Sequence, residues 1–471
     1  MRNRQYSLFR GFDGRLFEED SSAEAGDTVI SAAKPARNGT QNKVRAEDCS
    51  IHEWYRFVLS FPPHLVRTYL SKFGISKHQR VLDPFCGTGT TLVECKKMGI
   101  QSIGIEANPM AHFASSVKID WSPIPSELCA HGKRIAQAVA ASLEADGFFE
   151  SLELFGKPTP CRSLLTLDEQ RYRLLLGNSI SPMPLHKTLV LMEKLNRSRN
   201  SRFYNHERLA LAKALVSSIS NLHFGPEVGV GKPQSDAPVV SSWLQNISVI
   251  ADDLRVHEEN FVKTEVHHAD SRYLINTLAP QSVDAVITSP PYPNEKDYTR
   301  TTRLESVILG FINDKQDLRK LKQGLVRSNT RNVYKQDDDD LLIEDNKEIQ
   351  RIAKQIEARR IELGKTSGFE RLYARVTKLY FGGMKKHLID LKQILRPGAQ
   401  LAYVVGDQAS YLRVMIRTGK LLAEIAESVG YEVMGIDLFR TRLATATKEQ
   451  LREEVLLLRW PGPSGRAKRN G

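Results

Sequence analysis

Two short segments of the sequence combine residue types that could bind a ligand and act on it. The first, Asp83–Thr91 (DPFCGTGTT), places two glycines and several hydroxyls after a short apolar stretch. The second, Thr288–Tyr292 (TSPPY), places a serine, two prolines and a tyrosine after another apolar stretch. Backbone amides of the first segment could bind a polar ligand. The serine and carbonyl oxygens of the second could accept hydrogen bonds beside an aromatic ring.

The first segment has the pattern of a ligand-binding loop between a strand and a helix. Val81 and Leu82 predict a buried strand, and the helix is predicted to begin at about Thr90. Gly87 and Gly89 let the backbone approach a ligand closely and adopt dihedral angles closed to other residues. The segment lacks the Gly-Lys-Ser/Thr of a phosphate loop and the GxGxxG of a dinucleotide-binding fold. The pattern therefore differs from both of these nucleotide-binding motifs.

The second segment suits recognition of a base that has been rotated out of a nucleic-acid helix. Pro290 and Pro291 fix the backbone just beyond the predicted strand Asp284–Ile287. A carbonyl and the short side chain of Ser289 then point in one direction, with the ring of Tyr292 beside them. An extruded base needs acceptors for its amino hydrogens and a face on which to stack. The segment is therefore the candidate catalytic site.

Strands and helices alternate around both segments, which predicts an α/β fold with a doubly wound sheet. Strand, glycine loop, helix and strand follow one another over residues 80–106, and strands resume near 264 and 283. Three later apolar stretches, AQLAYVVGD, YEVMGIDLFRTR and EEVLLLRW, complete the sheet. We therefore predict a flexible N-terminal arm (1–48), a catalytic domain (49–120 and 262–460), a helical insertion (121–261), a second helical insertion within the catalytic domain (300–380) and a loose tail (461–471).

The composition limits the classes of partner and compartment. The 471 residues carry a formal net charge of +12, which suits a polyanionic partner because neutralised phosphates release counterions. A basic protein without such a partner is equally compatible with the charge alone. Five scattered cysteines without a signal peptide favour reduced thiols in the cytoplasm. No stretch approaches the roughly 18 apolar residues that a membrane helix needs, and no His/Cys cluster indicates a metal.

The two segments together resemble the motifs of the S-adenosylmethionine-dependent amino-methyltransferases that modify DNA. The family's cofactor motif has the form DPFxGxGTT, and its catalytic motif is D/N/S-P-P-Y/F. The resemblance, which includes a looser companion motif at Phe61–Leu65, covers about half of the chain. It implies a Rossmann-like methyltransferase sheet, S-adenosylmethionine as the cofactor and double-stranded DNA as the substrate, and it leaves a cognate restriction endonuclease open as a further partner. The implied cofactor-binding residues of the first motif are Asp83, Phe85, Gly87, Gly89 and Thr90.

Acidic residues end the next two predicted strands. Glu106 stands 17 residues beyond Gly89, where a carboxylate can accept hydrogen bonds from both ribose hydroxyls. Asp270 ends the following strand and resembles the residue that holds the adenine amino group of the cofactor. The alternatives are a solvent-facing Glu106 and an Asp270 that caps a turn. We expect both acids to bind the cofactor.

By the same resemblance, Ser289, Pro290, Pro291 and Tyr292 form the catalytic site. The serine form of the motif is associated mainly with cytosine N4 and the Asp and Asn forms with adenine N6, so we predict N4 and keep N6 as the alternative. Hydrogen bonds from the amino group to Ser289 and the Pro290 carbonyl would direct its lone pair at the sulfonium methyl. Tyr292 would stack on the base. Cys86 is predicted to be structural, because the Pro-Cys placement used in ring-carbon methylation is missing.

The insertions are the candidate target-recognition regions. Residues 121–261 are the first candidate and 300–380 the second, because arginine and lysine can contact phosphates or read guanine edges. A solvated helical face is the alternative for both, and the run Asp337–Asp340 is predicted to be a solvated loop. The basic residues of the second region are Arg300, Arg303, Arg319, Lys320, Arg327 and Arg331. The residues expected to shape the base pocket are Glu295, Asp297 and Tyr298.

Two other functions remain compatible with the sequence. An RNA amino-methyltransferase acting on guanine N2 or adenine N6 would share the glycine loop and a PPY-type tetrapeptide, although no RNA-binding module is recognisable. A DNA-binding protein on a degenerate methyltransferase scaffold is the non-enzymatic alternative. The intact Gly87, Gly89, Glu106 and Ser289 disfavour it.

Overall fold

The computed structural model describes residues 45–56, 60–148, 163–224, 228–257, 262–443 and 450–463. Most of the predicted arm (1–44) and most of the predicted tail (464–471) lie outside these residues, and both remain predictions. The described strands are β1 (Arg80–Asp83), β2 (Gln101–Glu106), β3 (Leu222–Phe224), β4 (Val228–Val230), β5 (Thr264–His268), β6 (Val283–Thr288), β7 (Leu395–Gly406), β8 (Glu432–Leu443) and β9 (Gln450–Arg459). The described α-helices are α1 (Pro63–Lys72), α2 (Thr90–Lys97), α3 (Pro109–Lys118), α4 (Pro125–Ala145), α5 (Glu169–Tyr172), α6 (Pro182–Arg197), α7 (Tyr204–Ala214), α8 (Val239–Val256), α9 (Tyr298–Thr301), α10 (Arg303–Ile308), α11 (Lys315–Gln323), α12 (Lys347–Glu362), α13 (Tyr373–Ile394) and α14 (Thr418–Ser428).

Seven of the described strands form one sheet in the order β5-β2-β1-β6-β7-β9-β8. The pairs from β5 to β7 are parallel, and β9 is antiparallel to both β7 and β8. From β1, the chain adds β2 and β5 on one side and β6 and β7 on the other, so the order in which strands are added reverses at β1. In an open α/β sheet, ligands bind beyond the carboxyl ends of the strands at such a point. The predicted doubly wound, Rossmann-like methyltransferase sheet with large, mainly helical insertions is confirmed.

Apolar side chains cover both faces of the sheet. Ala285 and Ile287 of β6 belong to one buried cluster with Leu65 and Val66 of α1. Val286 points to the opposite face and belongs to a different buried cluster, together with apolar residues of α12, α13 and α14. Burial on both faces explains why β6 is a nearly continuous apolar run rather than an alternating one. The helices thus hold the strand ends, and the loops that follow them, in fixed positions.

The described part of the first predicted insertion is mostly helical. Trp243 of α8 is fully buried, and its indole N–H donates a hydrogen bond to the carbonyl of Glu207 in α7 (2.8 Å). The same apolar cluster contains Val93 of α2 and Phe113 of α3. The insertion therefore shares a core with the helices that flank the glycine loop. Within the described part of the insertion, β3 and β4 pair antiparallel in a separate two-stranded sheet.

The second predicted insertion is not separate from the catalytic domain, because its last residues belong to a helix of the sheet's core. Helices α10 to α12 lie in it and α9 spans its start, but α13 begins at Tyr373 and is the crossover helix that leads to β7. The predicted boundary at 380 therefore falls inside a core helix. Within the described residues, no helix is both long and apolar enough to cross a lipid bilayer.

The prediction that Asp337–Asp340 is a solvated loop is wrong for two of its carboxylates. Asp339 is only 6% exposed and accepts a hydrogen bond from Nη1 of Arg272 (2.7 Å). Asp337 accepts two hydrogen bonds from the guanidinium of Arg327, both 2.9 Å long. The run of acids in the sequence gave no sign of these arginine partners, because Arg272 lies 67 residues from Asp339 along the chain and Arg327 lies 10 residues from Asp337.

Candidate active site

A cavity of about 550 Å³ lies beyond the carboxyl ends of β6, β1, β2 and β5. This volume is within the usual range for small-molecule sites. Both segments singled out in the sequence line it, so stretches far apart in the chain form one site. The predicted site residues on its wall are Phe85, Gly87, Thr90, Glu106, Ser289, Pro290, Pro291 and Tyr292.

The glycine loop turns sharply between β1 and α2. Gly87 has a φ of +52° and Gly89 a φ of +85°, in the left-handed region that favours glycine. A Cβ at Gly89 would lie 3.1 Å from the Cβ of Ser115, so this glycine also lets α3 pack closely. Gly87 lines the cavity, whereas Gly89 does not. The two glycines therefore have different roles, one at the ligand and one at the helix packing.

Asp83 lies behind the cavity wall and not on it. Its buried carboxylate accepts hydrogen bonds from the hydroxyls of Thr288 (2.6 Å) and Thr91 (2.7 Å) and from the backbone N–H of Phe85 (3.1 Å). Burial raises the pKa of Asp83 to about 6, although these hydrogen bonds act in the opposite direction. Asp83 thus joins the glycine loop to the residue that precedes Ser289. The structure gives it a role in holding the two loops together, in place of the predicted contact with a cofactor.

Glu106 ends β2 on the wall of the cavity. Its Oε2 accepts a hydrogen bond from the backbone N–H of Gly87 (2.8 Å), and its Oε1 accepts one from that of Asn108 (2.7 Å). Burial raises the pKa of Glu106 to about 7. The carboxylate is therefore fixed beside the glycine loop, at the place where an acid can accept hydrogen bonds from ribose hydroxyls.

Asp270 does not line the cavity, although its neighbours Ala269 and Ser271 do. The Asp270 carboxylate accepts hydrogen bonds from three N–H groups of Arg272: the backbone N–H (2.9 Å), Nε (3.1 Å) and Nη2 (2.7 Å). A carboxylate has about four acceptor positions, and most of these are taken. The structure therefore does not bring Asp270 to the cavity in the way that the sequence predicted.

The catalytic segment is held against β7. The Ser289 hydroxyl donates to the carbonyl of Val404 (3.2 Å), and because its only proton is used there, its oxygen keeps acceptor capacity. A Cβ at Gly406 would lie 3.1 Å from Cε2 of Tyr292, so glycine at this position lets the tyrosine ring lie close to the strand. The Tyr292 backbone N–H donates to the hydroxyl of Tyr298 (3.4 Å). Burial raises the pKa of Tyr292, which keeps the phenol neutral.

Three residues near the motifs also belong to the wall. Phe61 and Pro62, from the looser companion motif, line the cavity just before α1. Thr88 of the glycine loop lines it as well, and its hydroxyl is buried without a hydrogen-bond partner among the residues that the structure describes. The Thr88 carbonyl accepts a hydrogen bond from Nζ of buried Lys118 (2.9 Å), which fixes the loop. A buried hydroxyl left unpaired in a cavity indicates a place for a polar ligand atom.

Another part of the wall comes from β8 and β9. Phe439, Arg440 and Arg442 of β8 line the cavity, together with Glu453 of β9. Arg440 donates two hydrogen bonds to Glu453 (2.6 and 2.8 Å), and Nε of Arg442 lies 3.7 Å from the same carboxylate. Two guanidinium groups that share one carboxylate leave this wall positively charged. The sequence analysis missed this wall. The signal that could have revealed it is the pair Arg440 and Arg442, two residues apart, which a strand places on one face.

The last part of the wall, Gly324–Val326 with Ser328, follows α11 and belongs to the second predicted insertion. No motif in the sequence marks this stretch. Just past the catalytic motif, Tyr298 lines the cavity as predicted, whereas Glu295 and Asp297 are not on its wall.

Two of the basic residues proposed to contact nucleic acid are not available for it. Arg303 is 8% exposed and bonded to the Thr299 carbonyl, and Arg327 is 4% exposed and paired with Asp337. These side chains stabilise the protein interior instead. By contrast, the residues of that set that are exposed are Arg319, Lys320 and Arg331.

Neither a thiol nucleophile nor a metal centre is evident in the described residues. Cys86 is buried, and burial raises the pKa of its thiol well above the ordinary value, which disfavours the reactive thiolate. In the part of the chain that the structure describes, no group of three or more His, Cys, Asp or Glu residues could hold a metal ion.

The sheet order and the place of the cavity are those of a Rossmann-like methyltransferase fold. The family model N6_N4_Mtase, described as DNA methylase, matches residues 32–115. Type II methyltransferase M.BsoBI from Geobacillus stearothermophilus is 28% identical over 432 residues, which cover 85% of this chain and 82% of the relative. Type II methyltransferase M.AvaI from Anabaena variabilis is 23% identical over 444 residues, which cover 87% of this chain and 86% of the relative.

Among solved structures, TrmN from Thermus thermophilus aligns with 88% of this chain and 52% of its own, at 11% identity and a TM-score of 0.28. The sequence matches confirm the resemblance to the amino-methyltransferases of the N4/N6 type. This class implies a methyl donor of the S-adenosylmethionine type.

Proposed function

We propose that the chain transfers a methyl group from S-adenosylmethionine to the exocyclic amino group of an extruded DNA base, and that the acceptor is cytosine N4. The observation that carries the proposal is the single cavity shared by the glycine loop, Glu106 and the segment Ser289–Tyr292. A donor bound at the first two elements would face a base bound at the third.

The residues around the cavity fit this cofactor. Glu106 offers carboxylate oxygens to a ribose, and the buried Thr88 hydroxyl is unpaired among the described residues, which suits a polar group of the ligand. Gly87 presents backbone without a side chain, and Phe85 adds an apolar surface. When bound, the cofactor supplies an electrophilic methyl group on a sulfonium sulfur. We assign its binding to Phe85, Gly87, Thr88, Thr90 and Glu106.

The catalytic segment orients the acceptor amine. An aromatic amino group is a weak nucleophile because its lone pair is delocalised into the ring. Ser289 keeps acceptor capacity because its proton is directed to Val404, and the Pro290 carbonyl offers a second acceptor. Hydrogen bonds to both would bias the nitrogen toward a tetrahedral geometry and free its lone pair. Tyr292, held close to β7, would stack on the base, so catalysis depends chiefly on orientation.

Cytosine N4 is preferred because the first residue of the tetrapeptide is serine. In the resembling family, this form accompanies N4 methylation more often than N6 methylation. Double-stranded DNA as the substrate is supported by the description of the matching family model and by the net charge of +12. The Type II names of both relatives favour a restriction-modification context, and a cognate endonuclease stays a prediction. Arg440 and Arg442 would place positive charge near the phosphates that flank an extruded nucleotide.

The test is transfer of a labelled methyl group from S-adenosylmethionine to duplex DNA and, in parallel, to transfer RNA. The proposal predicts label in DNA only. Single-molecule sequencing of DNA from cells that express the chain would then report the modified base and its sequence context. Label in transfer RNA alone would favour the RNA amino-methyltransferase. No binding of S-adenosylmethionine by calorimetry would favour a non-catalytic scaffold.

A further inference from the structure

The order of the strands sets the order of ligand groups along the cavity. From β6 through β1 and β2 to β5, the strand ends carry Ser289, Gly87, Glu106 and Ala269 in turn. The next step rests on the proposed function, in which the methyl group is transferred at Ser289 and the ribose lies at Glu106. The adenine must then extend beyond Glu106, toward the end of β5.

A stretch of the second insertion lies at that end of the cavity. Gly324, Leu325 and Val326 line the cavity, and a Cβ at Gly324 would be 4.0 Å from the Cβ of Ala107, the residue after Glu106. We infer that Gly324–Ser328, here called the covering segment, forms the outer wall of the adenosine subsite.

The covering segment also contacts the loop that follows the catalytic motif. The backbone N–H of Glu295 donates to the carbonyl of Ser328 (3.2 Å), and the side chain of Asn329, the residue after the segment, donates to the carbonyl of Lys296 (3.0 Å). Its two ends therefore lie at the adenosine subsite and at the base pocket. Movement of this segment would alter both.

Arg327 is part of the covering segment, and its side chain holds the backbone of the segment in place. Its Nη1 donates to the carbonyls of Lys322 (3.0 Å), Gln323 (3.2 Å) and Leu325, and its Nε and Nη2 donate to Asp337 (2.9 Å each). A planar guanidinium can satisfy several backbone carbonyls and one carboxylate together, which a lysine ammonium cannot reproduce. Arg327 is therefore a positioning residue for the cofactor subsite and does not contact nucleic acid.

Arg272 is a second clamp and explains the placement of Asp270. Besides binding Asp270, Arg272 donates to Asp339 (2.7 Å) and, through Nη2, to the carbonyl of Gln323 (3.1 Å). Asp270 thus acts through Arg272, which holds the base of the covering segment. In this arrangement Leu325 and Val326 contact the adenine, and the Asp270 carboxylate does not.

The experiment measures binding of S-adenosylhomocysteine and of 5′-methylthioadenosine, which contains the adenosine but lacks the amino-acid end. Calorimetry and competition are carried out on the full chain and on the variant Arg327→Met. We expect the dissociation constants for both ligands to rise by the same factor, about tenfold, because a covering segment without its clamp must be ordered when either ligand binds. Arg327→Lys should restore little of the affinity.

The matched control is Arg351→Met. Arg351 makes the same kind of forked pair, with Glu348 at 2.7 and 2.5 Å, but on the exposed surface of α12. It should bind both ligands like the wild type. Because loss of a buried arginine can unfold a protein, Leu325→Ala provides a second variant that removes only part of the wall, and it should weaken both ligands several-fold.

Unchanged affinities in folded Arg327→Met and Leu325→Ala would overturn the inference. A loss confined to S-adenosylhomocysteine would also overturn it, because the segment would then lie at the amino-acid end. Failure of the wild type to bind S-adenosylhomocysteine is a different result and would overturn the proposed cofactor itself.

Discussion

The inner and outer walls of the cavity are built by different means. The inner wall, formed by the loops after β1, β2 and β6, depends on backbone conformation, with glycines at positive φ and two consecutive prolines. The outer wall, the covering segment, depends on the buried arginines Arg272 and Arg327 and their aspartate partners. Residues specialised for backbone shape are therefore visible in the sequence as motifs, whereas side-chain clamps are visible only in the folded chain.

The two constructions also respond differently to substitution. Removing one partner of a buried ion pair leaves the other charge uncompensated, at a cost of about 3–5 kcal/mol. Replacing a ligand-contacting group on the inner wall removes an interaction with the ligand and leaves the protein core intact. Variants of the outer wall should therefore change stability and binding together, and variants of the inner wall should change binding or rate more than stability.

The largest expected effect is that of Gly382→Ala in α13, which would break the support of the outer wall. A Cβ at this position would lie 1.8 Å from the backbone oxygen of Asp339, so Asp339, the partner of Arg272, must be displaced. We expect the free energy of unfolding in urea to fall by about 3 kcal/mol. Gly368→Ala is the control, since nothing lies within 4 Å of its added Cβ. Equal unfolding midpoints for the two variants would contradict the packing described.

The next effect belongs to the inner wall. Ser289→Ala removes the proposed acceptor for the amino group, and we expect single-turnover methyl transfer to slow by about a hundredfold, as when one preorganised hydrogen-bond partner is lost. The dissociation constant for S-adenosylhomocysteine should stay near the wild-type value. A wild-type rate would remove Ser289 from the catalytic site.

Glu106→Ala tests the cofactor half of the inner wall. Loss of hydrogen bonds from the ribose to a charged group should weaken S-adenosylhomocysteine binding by about 1.5–3 kcal/mol. Calorimetry provides the measurement, and the unfolding midpoint should fall modestly, because the backbone N–H groups of Gly87 and Asn108 lose their acceptor. If the affinity is the same as for wild type, Glu106 does not bind the ribose.

The smallest effect is the pH dependence of the same interaction. Burial raises the pKa of Glu106 to about 7, so the ionised form, which can accept both ribose hydroxyls, is lost as the pH falls through this value. At one unit below the pKa, about a tenth of the carboxyl is ionised, and binding should be about tenfold weaker than on the alkaline plateau. Glu106→Gln should give a flat profile. A wild-type profile that is equally flat from pH 6 to 8 would show that ionisation of Glu106 does not govern binding.

The sequence predicted the parts of the fold and site that depend on local pattern. The strands around Val81 and Val286, the turn at Gly87 and the placement of Ser289 beside the glycine loop follow from apolar runs and from residues with restricted or unusual backbone geometry. The separation of roles between Gly87 and Gly89 did not follow, because it depends on the packing of α3.

The parts that the sequence could not predict depend on distant pairs. Asp270 has the position of a ligand-binding acid at a strand end, but Arg272 takes up its carboxylate, and nothing in the local pattern shows this. Asp339 belongs to an acidic run that the sequence predicts to be solvated, and the glycines at 382 and 383 in α13 make room for it. A glycine pair in the middle of a long helix was the one available sign that another backbone approaches there.

In the proposed function, one cavity brings a methyl donor and an extruded cytosine together. The most direct measurement is mass spectrometry of the nucleosides from duplex DNA that has been incubated with the wild-type chain and S-adenosylmethionine carrying a deuterated methyl group. The predicted result is deuterium in N4-methylcytosine. Deuterium in N6-methyladenine or 5-methylcytosine, or none in DNA, would contradict the claim.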